Sequence, residues 1–293
     1  YDLNFTYIKE FPIEVAADGT FTLTLTGDES FPYASSPPQN IIDSNWMFTF
    51  QEDATIGATT YESGEYLSLT TSMFTSVSSS SITIDVGTPT GAFDAIIRVA
   101  ITTTDTAPVP KTLREGRYTK IDTGTNDGGA NGPWNIGVSD VFKIEAVYVT
   151  DNSGSYIDTG TDYKDQFILD SGQTDNLYGH SKLVKRPTSS LNTTNKKITV
   201  KYACFFPNYG ATTATYFSYN SYPVDDTGST GIYTYEIPLY NSKKLGLFNL
   251  RDAIDFRPFA VNTAGDTTLL SGATENPEGT AQLLSAGSAG FTI

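Results

Sequence analysis

The sequence predicts an all-β protein made of two consecutive antiparallel β-sandwich domains, immunoglobulin-like or related, followed by an extended C-terminal arm. Three observations carry this expectation. Short runs of alternating apolar and polar residues recur between turn-forming residues. Thr, Ser, Tyr and Phe are abundant while charged residues make up only 17%, a composition that suits pleated, half-buried surfaces better than helices. The 293 residues exceed one ordinary sandwich, so two domains are the better prior.

Taken in order, Phe21-Thr-Leu-Thr-Leu25 alternates cleanly after the Asp18-Gly19 turn and predicts a half-buried strand. Trp46-Met-Phe-Thr-Phe50, Tyr66-Leu-Ser-Leu69, Ser81-Ile-Thr-Ile-Asp-Val86 and Ala95-Ile-Ile-Arg-Val-Ala-Ile101 continue the series. Residues 102–110 are polar and aperiodic and hold two prolines, which disfavour both helix and central strand. The first sandwich is therefore expected over residues 1–108 and the second over 109–258.

In the second half, strands are expected at Arg117-Tyr-Thr-Lys-Ile121, Val141 to Val149, Gln166-Phe-Ile-Leu169, Ile198-Thr-Val-Lys-Tyr202 and Tyr233-Thr-Tyr-Glu-Ile237, with a Gly/Asn/Asp-rich loop at residues 122–133. Leu247, Leu250 and Ile254 share a helical spacing that Pro258 ends, so residues 247–255 predict two helical turns. Residues 259–293 have few large apolar groups and read as an extended arm or a strand lent to a neighbour. A chain that opens on Tyr1 is expected to be a processed product or part of a longer polypeptide.

Charge divides at the same boundary. Residues 1–108 carry 2 basic and 14 acidic side chains, residues 109–258 carry 16 of each, and the arm has 3 acidic groups and no basic one. An acidic first half repels phosphate backbones, and the balanced second half offers no net attraction, so nucleic acid is not an expected partner. No window approaches the roughly 18 consecutive apolar residues of a membrane helix, and no membrane partner is expected.

Chemistry-bearing residues are sparse. Cys204 stands alone in an apolar strand and reads as a buried small hydrophobe. His180 is the single histidine, which excludes multi-histidine zinc sites; its turn-like context, Asp175-Asn-Leu-Tyr-Gly-His-Ser181, reads as an ordinary surface position. No phosphate loop, dinucleotide fingerprint or Cys-x-x-Cys pair occurs, so no cofactor is expected. Residues 151–158 cluster short oxygen ligands as calcium loops do, but lack the full pattern and read better as a hydrogen-bonded turn. Trp46 lies in an apolar strand and is expected in the core. Trp134, between Pro133 and Asn135 in a polar loop, is the better ligand or interface candidate. In Arg251-Asp-Ala-Ile-Asp-Phe-Arg257, alternating charges flank Ile254 and Phe256, so that apolar pair can dock while Arg251 and Asp255 support the turn at i,i+4; with Arg257 they make a clasp-like interface candidate.

The ordered segments Lys111-Thr-Leu113, Gly137 to Tyr148, Phe167 to Tyr178, Tyr216 to Tyr222, Tyr235 to Tyr240 and Leu250 to Pro258 resemble virion structural proteins of tailed bacteriophages, in particular tail- and baseplate-associated proteins of contractile-tailed phages of marine bacteria. The resemblance implies a non-enzymatic assembly module of a phage tail, baseplate or fibre-attachment region, located in the virion. Its implied partners are other virion proteins and copies of itself. It brings no catalytic residues. The competing expectation is a receptor- or carbohydrate-binding adhesin, with the Tyr-rich loops and Trp134 facing a host surface glycan.

Overall fold

The period-two runs of the first half form strands, and their burial follows the pleat. The computed structural model describes residues 5–104, 109–126, 128–175, 177–208, 221–224, 231–249, 259–261 and 267–269. In chain order the first half contains β1 (Phe5–Val15), β2 (Thr20–Thr24), β3 (Glu29–Ser30), helix α1 (Gln39–Asn45), β4 (Trp46–Phe50), β5 (Ala54–Ile56), β6 (Thr59–Tyr61), β7 (Tyr66–Leu67), β8 (Phe74–Val77), β9 (Ser81–Asp85) and β10 (Phe93–Thr103). The second half contains β11 (Lys111–Asp122), β12 (Trp134–Asn135), β13 (Val141–Asp151), β14 (Phe167–Asp170), β15 (Gln173–Thr174), β16 (Leu177–Tyr178), β17 (Lys182–Lys185) and β18 (Lys196–Pro207). Four short strands follow: β19 (Tyr240–Ser242), β20 (Gly246–Phe248), β21 (Phe259–Val261) and β22 (Thr267–Leu269). The protein is all-β, with most pairings antiparallel.

The largest sheet runs β15-β16-β1-β10-β4-β7, with β3 added beside β10. Its spine is the antiparallel β1–β10 pair, in register from Phe5 opposite Thr103 to Val15 opposite Phe93. On β10, Phe93, Ala95, Ile97, Val99 and Ile101 point to one face and join Trp46, Phe48 and Phe50 of β4 in the first core. The sheet β2-β9-β8 closes that core through Phe21, Leu23, Ile82, Ile84 and Phe74. Trp46 is buried here, stacked with Phe31 at 5.8 Å and edge-on to Phe74 at 5.0 Å.

The opposite face of the same sheet is covered too. Met47 and Tyr66 belong to a second core with Ile121, Trp134, Ile136, Val147, Phe167, Leu183, Ile198, Val200 and Tyr202, supplied by the sheets β11-β18-β13 and β12-β17-β14. All five residues of β4 are consequently buried. Backbone and side-chain bonds cross the junction: β16 pairs in parallel with β1, the Lys120 amide donates to the Gly64 carbonyl at 3.0 Å, and Asn126 Nδ2 donates to the Tyr66 carbonyl at 3.0 Å. β10 and β11 lie in different sheets on either side of residues 104–110.

Some elements differ from expectation. Residues 234–236 form a 3-10 turn instead of a strand; Ile237 tucks into a small cluster with Phe205, Tyr222 and Ile232, and among the described residues no strand pairs with this segment. The expected helix does not begin at Leu247: that residue lies in β20, paired with β19 through a turn in which Gly246 takes φ 77°, a left-handed conformation that glycine adopts without strain. The remainder of the expected helix, residues 250–255, lies outside the described residues. Within the arm, β21 and β22 pair antiparallel with each other. Helix α1, not foreseen, follows Pro37 and Pro38 and buries Ile42. Among the described residues no helix is long and apolar enough to cross a membrane.

Close approach at Gly137 is what lets the second core reach the central sheet. Gly137 has φ 89°, and a Cβ there would meet Met47 Sδ at 2.5 Å. Gly137→Ala is expected to destabilise the fold by about 2–3 kcal/mol, measured as a shift in the urea midpoint, with amide protection falling in both β4 and β12.

Candidate functional site

Of the sequence-derived candidates, Trp134 lies among the described residues. Trp134 is fully buried, which corrects its reading as an exposed platform. Its polar neighbours suggested a loop, but β12 pairs with β17, the indole N–H donates to the Gly129 carbonyl at 2.8 Å, and the ring packs edge-on to Phe167 at 6.2 Å. With its one donor satisfied, the indole can be enclosed at no hydrogen-bonding cost. Arg251, Asp255, Phe256 and Arg257 lie outside the described residues.

A polar cluster that the sequence did not single out lies where β11 and β13 begin. Lys111 opens β11 and Asp140 immediately precedes β13, so both flank the end of the intervening strand β18. Lys111 Nζ lies 2.5 Å from Asp140 Oδ2, with side-chain exposures of 0% and 4%. Asp140 takes φ 56°, a left-handed conformation that Asp tolerates better than most residues. Its carbonyl accepts the Phe205 amide at 3.0 Å, and its own amide donates to the Ser171 carbonyl at 3.4 Å.

Aromatic rings enclose the pair. Lys111 Nζ sits 4.4 Å from the ring centroids of both Tyr178 and Tyr222, and the Tyr222 hydroxyl is 3.5 Å from Lys111 Nζ and from Asp140 Oδ1. Burial pulls the lysine's pKa down while the Asp140 charge and hydrogen bond pull it back up. Burial and the Asp140 charge hold both tyrosine hydroxyls well above their ordinary range, so they stay protonated. A crevice of about 10 Å³, room for one water, adjoins the pair and is lined in part by Ser171, Gln173 and Tyr240.

Two further buried polar groups lie where the halves meet, and the second of them bonds across the junction. Arg98, buried on the second face of β10, donates from Nε to Glu10 at 2.9 Å and from Nη1 to Thr49 Oγ1 at 3.0 Å. Glu65, also buried, accepts from the Tyr156 hydroxyl at 3.0 Å and from the Glu62 amide at 3.0 Å; burial raises its carboxyl pKa. Three ion pairs bridge the acidic half to the second: Glu10–Arg114 at 3.9 Å, Glu62–Lys120 at 3.2 Å and Glu62–Lys197 at 3.8 Å.

His180 is buried at 2% exposure, not at the surface. The turn containing it is clamped: Gly179 donates to the Gly172 carbonyl at 3.0 Å and Ser181 to the Val138 carbonyl at 2.7 Å. Among the described residues, neither imidazole nitrogen makes a hydrogen bond of good geometry. Burial pushes its pKa down to about 4, the nearby Asn45 and Gly137 backbones opposing and the Arg98 charge assisting. Cys204 is buried, as its apolar run predicts, and burial pushes its thiol up to about 11. The 151–158 loop closes as a turn: Gly154 donates to the Asp151 carbonyl at 2.9 Å, Asn152 Nδ2 donates to Asn195 Oδ1 at 2.9 Å, and the Asp151 carboxylate pairs with Lys196.

Comparison with protein-family models, with curated proteins and with solved structures matched none of them. The described structure defines a class, an all-β protein whose central sheet is covered on both faces at β4 and the middle of β10, with buried polar groups at the junction of its halves.

The His180 shift sets a pH dependence. The unfolded chain takes up a proton near pH 6.5 and the folded chain only near pH 4, so stability is full above pH 6.5 and falls as pH drops through that window. The loss should total about 3 kcal/mol. Denaturant titrations of wild type and His180→Gln between pH 7 and 4.5 are expected to show the smaller acid loss in the variant.

Proposed function

We propose that this chain is a non-enzymatic structural module of a phage virion, an assembly element of a tail, baseplate or fibre-attachment region. The ordered segments between residues 111 and 258 that resemble such proteins support the identity of the class. The observation that carries an assembly role is a concentration of exposed apolar side chains in the charge-balanced half: Tyr235 at 62%, Leu239 at 53%, Leu245 at 73% and Leu247 at 67% exposure. Contiguous exposed apolar surface marks contact sites, and these four side chains fall within thirteen consecutive residues, 235–247. The acidity of the first half is partly compensated within the chain through Glu10 and Glu62, so repulsion between copies is weaker than the formal charge suggests.

The rival reading, a receptor- or carbohydrate-binding adhesin, draws on the exposed tyrosines. Tyr233 and Tyr235 stack at 5.2 Å with an interplanar angle of 8°, a flat aromatic face of the kind sugar rings pack on. Trp134 no longer contributes to that reading, since its ring is enclosed.

Assembly is tested on the purified chain by light scattering and electron microscopy. Deleting residues 259–293, or introducing Leu245→Asp with Leu247→Asp, is expected to leave the far-ultraviolet circular dichroism unchanged and to reduce oligomerisation or incorporation into particles at least about tenfold. Normal assembly of both variants overturns the module role. Binding of a monomeric chain to host glycans, lost in Tyr235→Ala, favours the adhesin instead.

A further inference from the structure

We propose that Lys111 and Asp140 become joined by an intramolecular amide bond between Lys111 Nζ and Asp140 Cγ, a covalent staple between β11 and β13 across the end of β18. The linkage is independent of the assembly role.

Geometry makes the first case. The amine and the carboxylate are 2.5 Å apart, and both side chains are enclosed. Their backbones are fixed, Lys111 opposite Pro207 in the ladder and Asp140 through the Phe205 amide. Two reacting groups held this way react as one molecule, with effective concentrations far above any in free solution. The protein holds other close lysine–carboxylate pairs, but water reaches them: the Asp151 carboxylate facing Lys196 is 76% exposed, and Lys9 facing Glu29 is 22% exposed. Those two pairs serve as internal controls, expected to remain unlinked.

Burial makes the second case. Amide formation needs a neutral amine with a free lone pair and a carboxyl whose carbon can be attacked. Enclosure disfavours both charges, so transfer of one proton from the Lys111 ammonium to the Asp140 carboxylate yields the amine and the acid within the same pair. Burial lowers the lysine's affinity for its proton, although the Asp140 charge acts the other way. The amine then attacks Cγ: the C–N bond forms and the carbonyl electron pair moves onto oxygen.

The Tyr222 hydroxyl, 3.5 Å from both Lys111 Nζ and Asp140 Oδ1, is placed to accept the proton leaving nitrogen while giving its own to the departing oxygen. The tetrahedral centre collapses, the C–O bond breaks, and one water leaves. Ammonium plus carboxylate thus becomes amide plus water, with no change of oxidation state and no further reactant. The crevice beside Asp140, Tyr178 and Tyr222 has room for that single water. A neutral amide also replaces two desolvated charges.

The test is the intact mass of the folded, purified chain measured after denaturation. The expected mass is lower than that of the sequence by one water, and proteolysis should release a branched peptide carrying Lys111 and Asp140. Lys111→Arg and Asp140→Ala should each restore the full mass expected for the variant, and Tyr222→Phe should slow appearance of the lighter species about a hundredfold. The full sequence mass in the wild type, with a linear Lys111 peptide, overturns the linkage whether or not the variants fold. A mass deficit that persists in Lys111→Arg places the lost water elsewhere and overturns it equally.

Discussion

The structure depends on one sheet being buried on both of its faces. A strand that has water on one side can alternate apolar and polar residues, but β4 cannot: Trp46, Phe48 and Phe50 fill one core while Met47 reaches the other and Thr49 accepts from Arg98. β10 meets the same demand by placing Arg98 and Ala100 on its second face. A buried guanidinium is tolerated only if it is paired and hydrogen-bonded, and Glu10, its register partner on β1, supplies the charge. The two halves of the chain therefore share a wall, and the chemistry of that wall determines where charge can be placed.

That shared wall explains why carboxylates and cations are distributed so unevenly along the sequence. Glu10, Glu62 and Glu65 belong to the acidic half, yet each finds a partner contributed by the second: Arg114, Lys120 with Lys197, and Tyr156. Exposed pairs of this kind contribute little stability individually. Their value lies in orientation, since a like-charged approach at the same surface would be disfavoured. Glu65 differs because it is buried, and its raised pKa means the surroundings oppose its charge even with Tyr156 donating to it.

Much of the fold is legible in the sequence where a strand has a simple environment. Phe21 to Leu25 alternates because β2 faces one core and water, and Trp46 to Phe50 declares itself through four large apolar groups broken only by Thr49. The strand β1 is less visible. Lys9, Glu10, Pro12 and Glu14 interrupt it, because Lys9 on one face pairs with Glu29, Glu10 on the other pairs with Arg98, and Pro12 and Glu14 are exposed. Trp134 misleads for a related reason: its local sequence is a polar loop, and burial comes from β17 and Phe167, both distant in the chain. His180 is hidden by the same kind of long-range packing. The Lys111–Asp140 pair could not be read from spacing, since its members are 29 positions apart; the available signal is a lysine at the start of a strand just after two prolines.

The shared sheet has a consequence for the chain as it is made. Residues 5–103 can pair and close the first core as soon as they emerge, but the face bearing Met47, Tyr66 and Arg98 must wait for β12, β17 and β18, which end only at residue 207. At typical rates of synthesis the hundred intervening residues take roughly 5–20 s. Through that interval the nascent chain presents an apolar sheet face to its neighbours on the same messenger, so the danger from aggregation is greatest between the emergence of β10 and that of β18.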